Sequence, residues 1–259
     1  MLYLSRLKYW LLIVNCFLLC LVTVCKGQAM DSVRKDSLKT SPGLRHQTTA
    51  SYILPVALIS YGVLSFHNQA IDKFDINVTN HISQGHGTFI NHVDDFMQFA
   101  PVAAVYGLNL FNVKGKHNFA DRTGRYILAY GLMASTTKLV KHVTNQLRPN
   151  GQPYGFPSGH TGTAFVAAEF LSQEYGDISP WYTVAGYTVA TSVALLRVYN
   201  NYHAFRDVVT GAGVGIASTK IAYLTYPYIK KVLFPGQNQI SMVPTYQSGI
   251  YGVYIAGRF

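Results

Sequence analysis

The stretch FPSGHTGTAFVAAEFLSQEY, residues 156–175, predicts a loop followed by a buried helix. Pro157, Ser158 and Gly159 are loop-forming residues, and serine is also a preferred cap for the amino end of a helix. The run after Thr161 is apolar over a length typical of a helix. A helix with so few charges must be covered by other helices, so the stretch predicts a helical bundle.

Five further apolar stretches flank this one along the chain. Loops containing Gly, Asn, Asp or Pro separate them. They lie at residues 51–66, 97–113, 124–141, 181–199 and 208–228. Together with 161–175 they predict an all-α bundle of about six core helices, in one domain that covers residues 51–230.

The composition narrows the class of protein. Charged residues make up 12% of the chain and hydrophobic residues 49%, whereas soluble domains have roughly 25% charged residues. This excludes a disordered protein. The net charge is +10, but the basic residues are scattered. We therefore expect an anionic substrate or a membrane surface as partner, with no nucleic acid and no obligate protein partner.

The bundle is expected to span a membrane. Its stretches are close to the lower limit of about 17 residues for a spanning helix. Several contain polar side chains, such as Gln98, Lys138 and Glu169, and the mean hydropathy is only +0.14. A soluble or peripheral exported bundle therefore remains the alternative.

Residues 1–29 have the three parts of a secretory signal peptide. Arg6 and Lys8 precede an apolar run at 10–25, and cleavage is expected after Ala29. An uncleaved first membrane helix is the alternative. All three cysteines of the chain lie in this leader, so disulfide and cysteine-based sites are not expected in the mature protein. An exported protein without cysteines fits a bacterial cell envelope.

Two segments flank the predicted domain. Residues 30–50 are polar and predict a surface segment. In the tail, residues 231–259, apolar residues alternate around Pro244 and Gly249, which predicts a short β-hairpin.

Three clusters of residues carry the predicted chemistry. In chain order they are Lys141-x6-Arg148-Pro149, then Pro157-Ser158-Gly159-His160, then Arg197-x5-His203-x3-Asp207. Each alone has an ordinary explanation, such as a charged helix end, a helix cap or an i, i+4 pair. Together they supply every part of a phosphate monoester site.

Binding of a phosphate dianion requires fixed cations and N–H donors. Lys141, Arg148 and Arg197 supply the cations, and each arginine can bind two phosphate oxygens. Ser158 and Gly159 come directly before the predicted helix, where free backbone N–H groups bind anions.

Phosphoryl transfer also requires a nucleophile and an acid. Asp207 follows His203 by four residues, so we expect both on one helix face, with the carboxylate holding one imidazole nitrogen and leaving the other for phosphorus. His160, on another helix, can protonate the leaving alkoxide and later activate water.

These clusters, in this order and spacing, resemble the type 2 phosphatidic acid phosphatase (PAP2) family, which includes bacterial acid phosphatases and vanadium haloperoxidases. The resemblance covers about residues 50–230. It implies a helical bundle, no metal or other cofactor, and a phosphohistidine intermediate. By position it implies His203 as nucleophile, Asp207 as its partner and His160 as general acid. The phosphate binders it implies are Lys141, Arg148, Ser158, Gly159 and Arg197.

Some positions depart from the family pattern. Leu196 stands where a serine is usual, which removes one possible phosphate donor. Ala204-Phe205-Arg206 replaces the commoner Tyr-Pro-Ser, so that Arg206 would add a cation near the site. These departures leave the exact substrate open.

Five residues before the second apolar stretch form a possible metal cluster. They are His81, His86, His92, Asp94 and Asp95. Their spacing does not match one helix face, so we interpret them as ordinary surface residues that could line the entrance to the site.

The sequence thus predicts a phosphatase that removes a phosphomonoester from a membrane lipid. Its expected location is the bacterial inner membrane, with the site facing the periplasm. Phosphatidic acid, phosphatidylglycerol phosphate, an isoprenyl pyrophosphate and a lipid A phosphate remain open as substrates. The alternatives are a soluble periplasmic acid phosphatase and a vanadate-dependent haloperoxidase.

Overall fold

The computed structural model describes residues 49–83, 92–234, 240–247 and 250–257. A short 3₁₀ turn, Thr49–Tyr52, leads into eight α-helices within these ranges. They are α1 Ile53–Ser65, α2 Gln69–Ser83, α3 Val93–Met97, α4 Ala100–Leu110, α5 Phe119–Thr144, α6 Gly159–Tyr175, α7 Pro180–Tyr199 and α8 Phe205–Leu233. The predicted all-α bundle is confirmed, and its six helices correspond to α1 and α4–α8. The predicted signal peptide lies outside the described residues.

Helices α2 and α3 were not predicted. The sequence of α2, QAIDKFDINVTNHIS, mixes charged and apolar residues and contains no long apolar run. Helix α3 has only five residues, VDDFM, which is too short to show a periodic pattern. Both helices contact α7, so they complete the bundle on the side where the third sequence cluster lies.

The centre of the bundle is the crossing of α6 with α8. Most residues of α6 are buried, and so is the first half of α8. The two backbones approach closely at glycines: a Cβ atom on Gly211 would lie 2.6 Å from the carbonyl oxygen of Ser158, and one on Gly215 would lie 2.6 Å from that of Gly162. The Ser158 N–H also donates to the Asp207 carbonyl, at 3.0 Å. The amino ends of α6 and α8 are thereby held side by side.

Two glutamates within the apolar stretches are paired inside the bundle. Glu169 of α6 accepts from Lys220 of α8 at 2.8 Å. Glu174, also buried, accepts from His117 at 2.7 Å and from Tyr223 at 2.6 Å, and it pairs with Arg122. A buried carboxylate is tolerated when donors surround it in this way. These contacts tie α5, α6 and α8 together at the end opposite to the amino ends of α6 and α8.

The membrane-spanning property of the bundle stays a prediction. Within the described residues, no single helix combines the length and apolarity needed to cross a bilayer. One bent pair of helices, Ala50–Ser65 and Gln69–Ser83, reaches the required length and apolarity when the two are taken together. Their axes meet at 101°.

The tail forms the predicted hairpin. Strand β1, Ile240–Gln247, pairs antiparallel with β2, Ile250–Gly257, so that Ile240 lies opposite Gly257 and Gln247 opposite Ile250.

Replacing Gly215 by alanine should destabilise the bundle. The new methyl group would meet the Gly162 carbonyl, which is backbone and has little room to move. We expect a loss of about 1–3 kcal/mol in unfolding free energy, seen as a melting temperature several degrees lower. Gly131→Ala is the matched control, since a Cβ there meets nothing within 4 Å and alanine favours helix. Equal melting temperatures for both variants would contradict the close crossing.

Candidate active site

The three sequence clusters converge at one end of the bundle. Lys141 lies in the last turn of α5, and Arg197 lies in the last turn of α7. His160 is the second residue of α6, and Asp207 is the third residue of α8. His203, just before α8, is within electrostatic reach of Lys141, Arg148 and Arg197. The pocket therefore lies where two helices begin and two others end.

His203 and Asp207 form a buried pair. The imidazole Nδ1 lies 3.3 Å from Asp207 Oδ2, and the same oxygen accepts from the Ala204 N–H at 2.9 Å. The expectation that both residues share a helix face was wrong. The N–H groups of Tyr202 and His203 bond to the Arg197 carbonyl, so His203 sits in the turn that links α7 to α8. The pairing that was expected is nevertheless present.

Burial controls the charge of this pair. Burial, reinforced by Lys141 and Arg197, holds the pKa of His203 well below its usual range. Burial likewise raises the pKa of Asp207 to about 7, although the Ala204 N–H and nearby cations oppose the rise. His203 is therefore a neutral imidazole at neutral pH. The Gly155 carbonyl also hydrogen-bonds to the ring. In the tautomer that donates its Nδ1 proton to Asp207, Nε2 carries the lone pair that can attack an electrophile.

Arg197 is held rigidly between two groups. Its guanidinium donates to buried Asp94 at 2.7 Å and stacks over the Tyr202 ring at 4.4 Å. Arg148 is held through Gln152, at 3.4 Å. The Nε atoms of both arginines are buried and have no hydrogen-bond partner among the described residues. These N–H groups are available to an anion.

Lys141 is a cation that can titrate near neutral pH. Its ammonium group donates to the Tyr154 carbonyl. Burial, together with the charges of Arg148 and Arg197, lowers its pKa to about 8. Its charge is therefore sensitive to mildly alkaline conditions.

Ser158 and Gly159 form the amino end of α6. The buried Ser158 hydroxyl accepts from the Thr161 N–H at 3.4 Å and from its hydroxyl at 3.0 Å, which leaves the Ser158 O–H as a donor. A Cβ on Gly159 would meet only the Thr137 methyl group, at 3.9 Å. A ligand can therefore approach the backbone N–H groups here.

His160 is partly exposed and contacts a carboxylate. Its Nε2 lies 3.0 Å from Asp95 Oδ1. Burial and the charge of Arg197 lower the pKa of His160, whereas Asp95 and Asp94 act in the opposite direction.

Sequence reasoning missed the roles of Asp94 and Asp95. Both were interpreted as surface residues that could line the entrance to the site. Asp94 is instead fully buried and ion-paired with Arg197, whereas Asp95 is partly exposed and contacts His160. His92 is exposed as expected, His81 lies in α2, and His86 lies outside the described residues. The signal in the sequence was that two acidic residues stand next to each other. It was not enough, because contacts of α3 with α6 and α7 follow no fixed spacing along the chain.

Arg206 lies beside the site and pairs with carboxylates of α2. Its guanidinium lies 2.7 Å from Asp72 and 3.8 Å from Asp75, both in α2, and it stacks over Phe66. The backbone N–H of Arg206 also bonds Asp75, at 2.5 Å. Arg206 is nevertheless a cation near the site, as expected, since its charge opposes the rise in the pKa of Asp207.

Within the described residues, no group of three or more His, Cys, Asp or Glu side chains is arranged to hold a metal ion. The donors that the pocket offers are cations, N–H groups and imidazoles, which suit an anion.

A bundle that gathers three cations and a His–Asp pair around the amino ends of two helices has the groups that phosphate chemistry requires. Residues 122–231, which contain all eight predicted site residues, match the PAP2 superfamily. The match runs from α5 to α8, which is the part of the chain that carries the site.

One curated relative and two solved structures extend the comparison. The chain is 33% identical over 232 residues to a lipid A 1-phosphatase of Porphyromonas gingivalis, and the alignment covers 85% of this chain. The chain spans only about half, 50%, of the length of that relative.

The structures are of LpxE from Aquifex aeolicus and of a transmembrane PAP2-type phosphatidylglycerolphosphate phosphatase from Bacillus subtilis. The first is 21% identical and covers 57% of this chain and 93% of its own, with a TM-score of 0.47. The second is 20% identical and covers 69% of this chain and 97% of its own, also with a TM-score of 0.47.

Affinity for inorganic phosphate should fall above pH 8. Lys141 loses its proton there, and the site loses a cation, so the dissociation constant should rise by up to about tenfold per pH unit. Titration calorimetry from pH 7.5 to 9.5 measures this while phosphate stays largely a dianion. Lys141→Arg should flatten the curve, because arginine does not titrate in this range. If the affinity for phosphate falls equally in the wild-type and Lys141→Arg proteins, the group that titrates is not Lys141.

Proposed function

We propose that this protein is a metal-independent phosphatase that hydrolyses a phosphomonoester of a membrane lipid through a phosphohistidine intermediate. The observation that carries the proposal is the buried His203–Asp207 pair, which faces three cations and stands beside a second, separately held histidine.

In the first step, Nε2 of His203 attacks phosphorus. The phosphoryl oxygens lie among Lys141, Arg148 and Arg197 and against the N–H groups at the start of α6, which stabilise the charge spread over them. The ester P–O bond breaks, its electron pair goes to the leaving oxygen, and that oxygen takes a proton from His160. Asp207 stabilises the positive charge that develops on His203.

In the second step, water replaces the histidine. His160, now neutral, accepts a proton from the water molecule as its oxygen attacks phosphorus. The P–N bond breaks and its electron pair returns to Nε2. Both histidines are then back in their starting protonation states, so the cycle consumes one ester and one water.

The surface around the pocket supports a lipid substrate. Phe96 follows Asp95 and is 80% exposed, and Leu147 precedes Arg148 and is 68% exposed. Tyr154, whose carbonyl holds Lys141, is 40% exposed. Apolar side chains beside a cationic pocket match a phosphate attached to an acyl chain. The lipid A 1-phosphatase relative makes a phosphorylated sugar lipid the first substrate to test.

We place the protein in the membrane of the bacterial envelope, with the pocket facing the periplasm. The exported leader predicted at residues 1–29 supports this side. The many exposed apolar side chains on the outer faces of the helices, such as Leu54 on α1 and Val184 on α7, support contact with lipid.

Replacing His203 by alanine should remove the activity. Without the nucleophile, phosphate release should fall by about a thousandfold or more. The radiolabelled phosphoenzyme trapped by rapid quenching should also disappear. The assay is phosphate release by purified protein from lipid phosphates in detergent, with exposed His67→Ala as control. Near-native activity in His203→Ala, or loss of wild-type activity in EDTA, would overturn the mechanism.

The exposed Phe96 side chain should matter only for lipid substrates. Phe96→Ser should raise KM for a micellar lipid phosphate severalfold and leave KM for p-nitrophenyl phosphate unchanged. Phe111→Ser is the matched control, since Phe111 is 84% exposed near the opposite end of the bundle. Better turnover of p-nitrophenyl phosphate than of any lipid, with no effect of Phe96→Ser, would instead favour a soluble acid phosphatase.

A further inference from the structure

Two carboxylates that lie outside the three sequence clusters enter the pocket from α3. Asp94 turns inward and bonds to Arg197 at 2.7 Å. The next residue, Asp95, points in a different direction along the helix surface and places Oδ1 3.0 Å from His160 Nε2. The same oxygen lies 3.6 Å from Arg197. The two neighbours thus contact different members of the pocket.

The position of Asp95 is fixed from several sides. Its second oxygen, Oδ2, lies 3.4 Å from His92 Nδ1, and its backbone carbonyl accepts from Gln98 Nε2 at 2.8 Å. The side chain is still 41% exposed. A carboxylate held at one oxygen and directed at an imidazole with the other is the arrangement in which an aspartate orients a histidine.

The surroundings of His160 explain why such a partner matters. His160 begins α6, where the helix dipole disfavours a cation, and Arg197 also lies close by. A general acid must nevertheless hold a proton when the substrate binds. Asp95 provides a negative charge in direct contact with the ring, which stabilises the protonated form.

We propose that Asp95 is the positioning residue of the general acid: it holds His160 through Nε2 and favours its protonated form, so that Nδ1 can deliver its proton to the leaving oxygen. The inference rests on the proposed function. In the step itself the ester P–O bond breaks, its electron pair stays on the leaving oxygen, and the Nδ1 proton is transferred to that oxygen. Asp95 keeps its own charge throughout.

The test compares two substrates that differ in their need for a proton. p-Nitrophenolate is a stable leaving group, whereas an alkoxide must be protonated as it departs. For Asp95→Asn we expect kcat/KM to fall about ten- to a hundredfold with an alkyl phosphate and to change little with p-nitrophenyl phosphate. His160→Ala should lose still more activity toward the alkyl phosphate, and because His160 also activates the water of the second step, its kcat should fall with both substrates. Asp95→Glu, which keeps the charge, should retain more activity toward the alkyl ester than Asp95→Asn.

Asp177→Asn is the matched control. Asp177 has a similar exposure, 36%, and loses the same charge, but it pairs with Lys116 near the opposite end of the bundle. The melting temperature of each variant shows whether the fold is kept, and since p-nitrophenyl phosphate turnover needs the intact pocket, it reports folding independently.

Two results would overturn the inference. An equal loss of kcat/KM with both substrates would make Asp95 a merely structural residue. A rise in kcat/KM of Asp95→Asn with both substrates would mean that the Asp95 carboxylate competes with phosphate for Arg197. The proposed function fails separately, through undiminished phosphate release in His203→Ala, so the two failures are distinguishable.

Discussion

The close crossing of α6 and α8 is the constraint on which the rest of the structure depends. Glycines at 211 and 215 let the two backbones touch, and the Ser158 N–H bonds directly to the Asp207 carbonyl. The amino ends of both helices must therefore open into one pocket. Free N–H groups, His160 and the His203–Asp207 pair are brought together by this crossing, although they come from separate parts of the chain.

Burial then gives the pocket its chemistry. The same exclusion of water that keeps His203 neutral lowers the pKa of Lys141 toward the physiological range. Arg197 keeps its place because Asp94 and Tyr202 hold it from two sides. At the other end of the bundle, Glu174 is buried with enough donors to stay charged, and it serves only to join helices. Burial of charge therefore serves binding at one end and packing at the other.

Much of this could be predicted from the sequence, and the exceptions have physical reasons. Apolar runs predicted the six long helices, and the cap at Ser158 followed from local preference. Helix α2 was missed because its polar residues hide its apolar face, and α3 because five residues show no period. Asp94 and Asp95 meet partners 103 and 65 positions away in the chain, and tertiary contacts of that kind leave no local pattern. His203 lies in a turn because the Arg197 carbonyl ends α7 there, a bond that spacing alone does not show.

The two carboxylates of α3 also reduce the net positive charge of the pocket. Asp94 lies 2.7 Å and Asp95 3.6 Å from Arg197, so part of the positive charge is offset before a ligand binds. A smaller net charge has a weaker field beyond the Debye length of about 8 Å. A phosphate in bulk water is therefore drawn in less strongly from a distance. Selection depends more on contact with donors whose directions fit the phosphate, which suits the membrane lipid proposed as substrate.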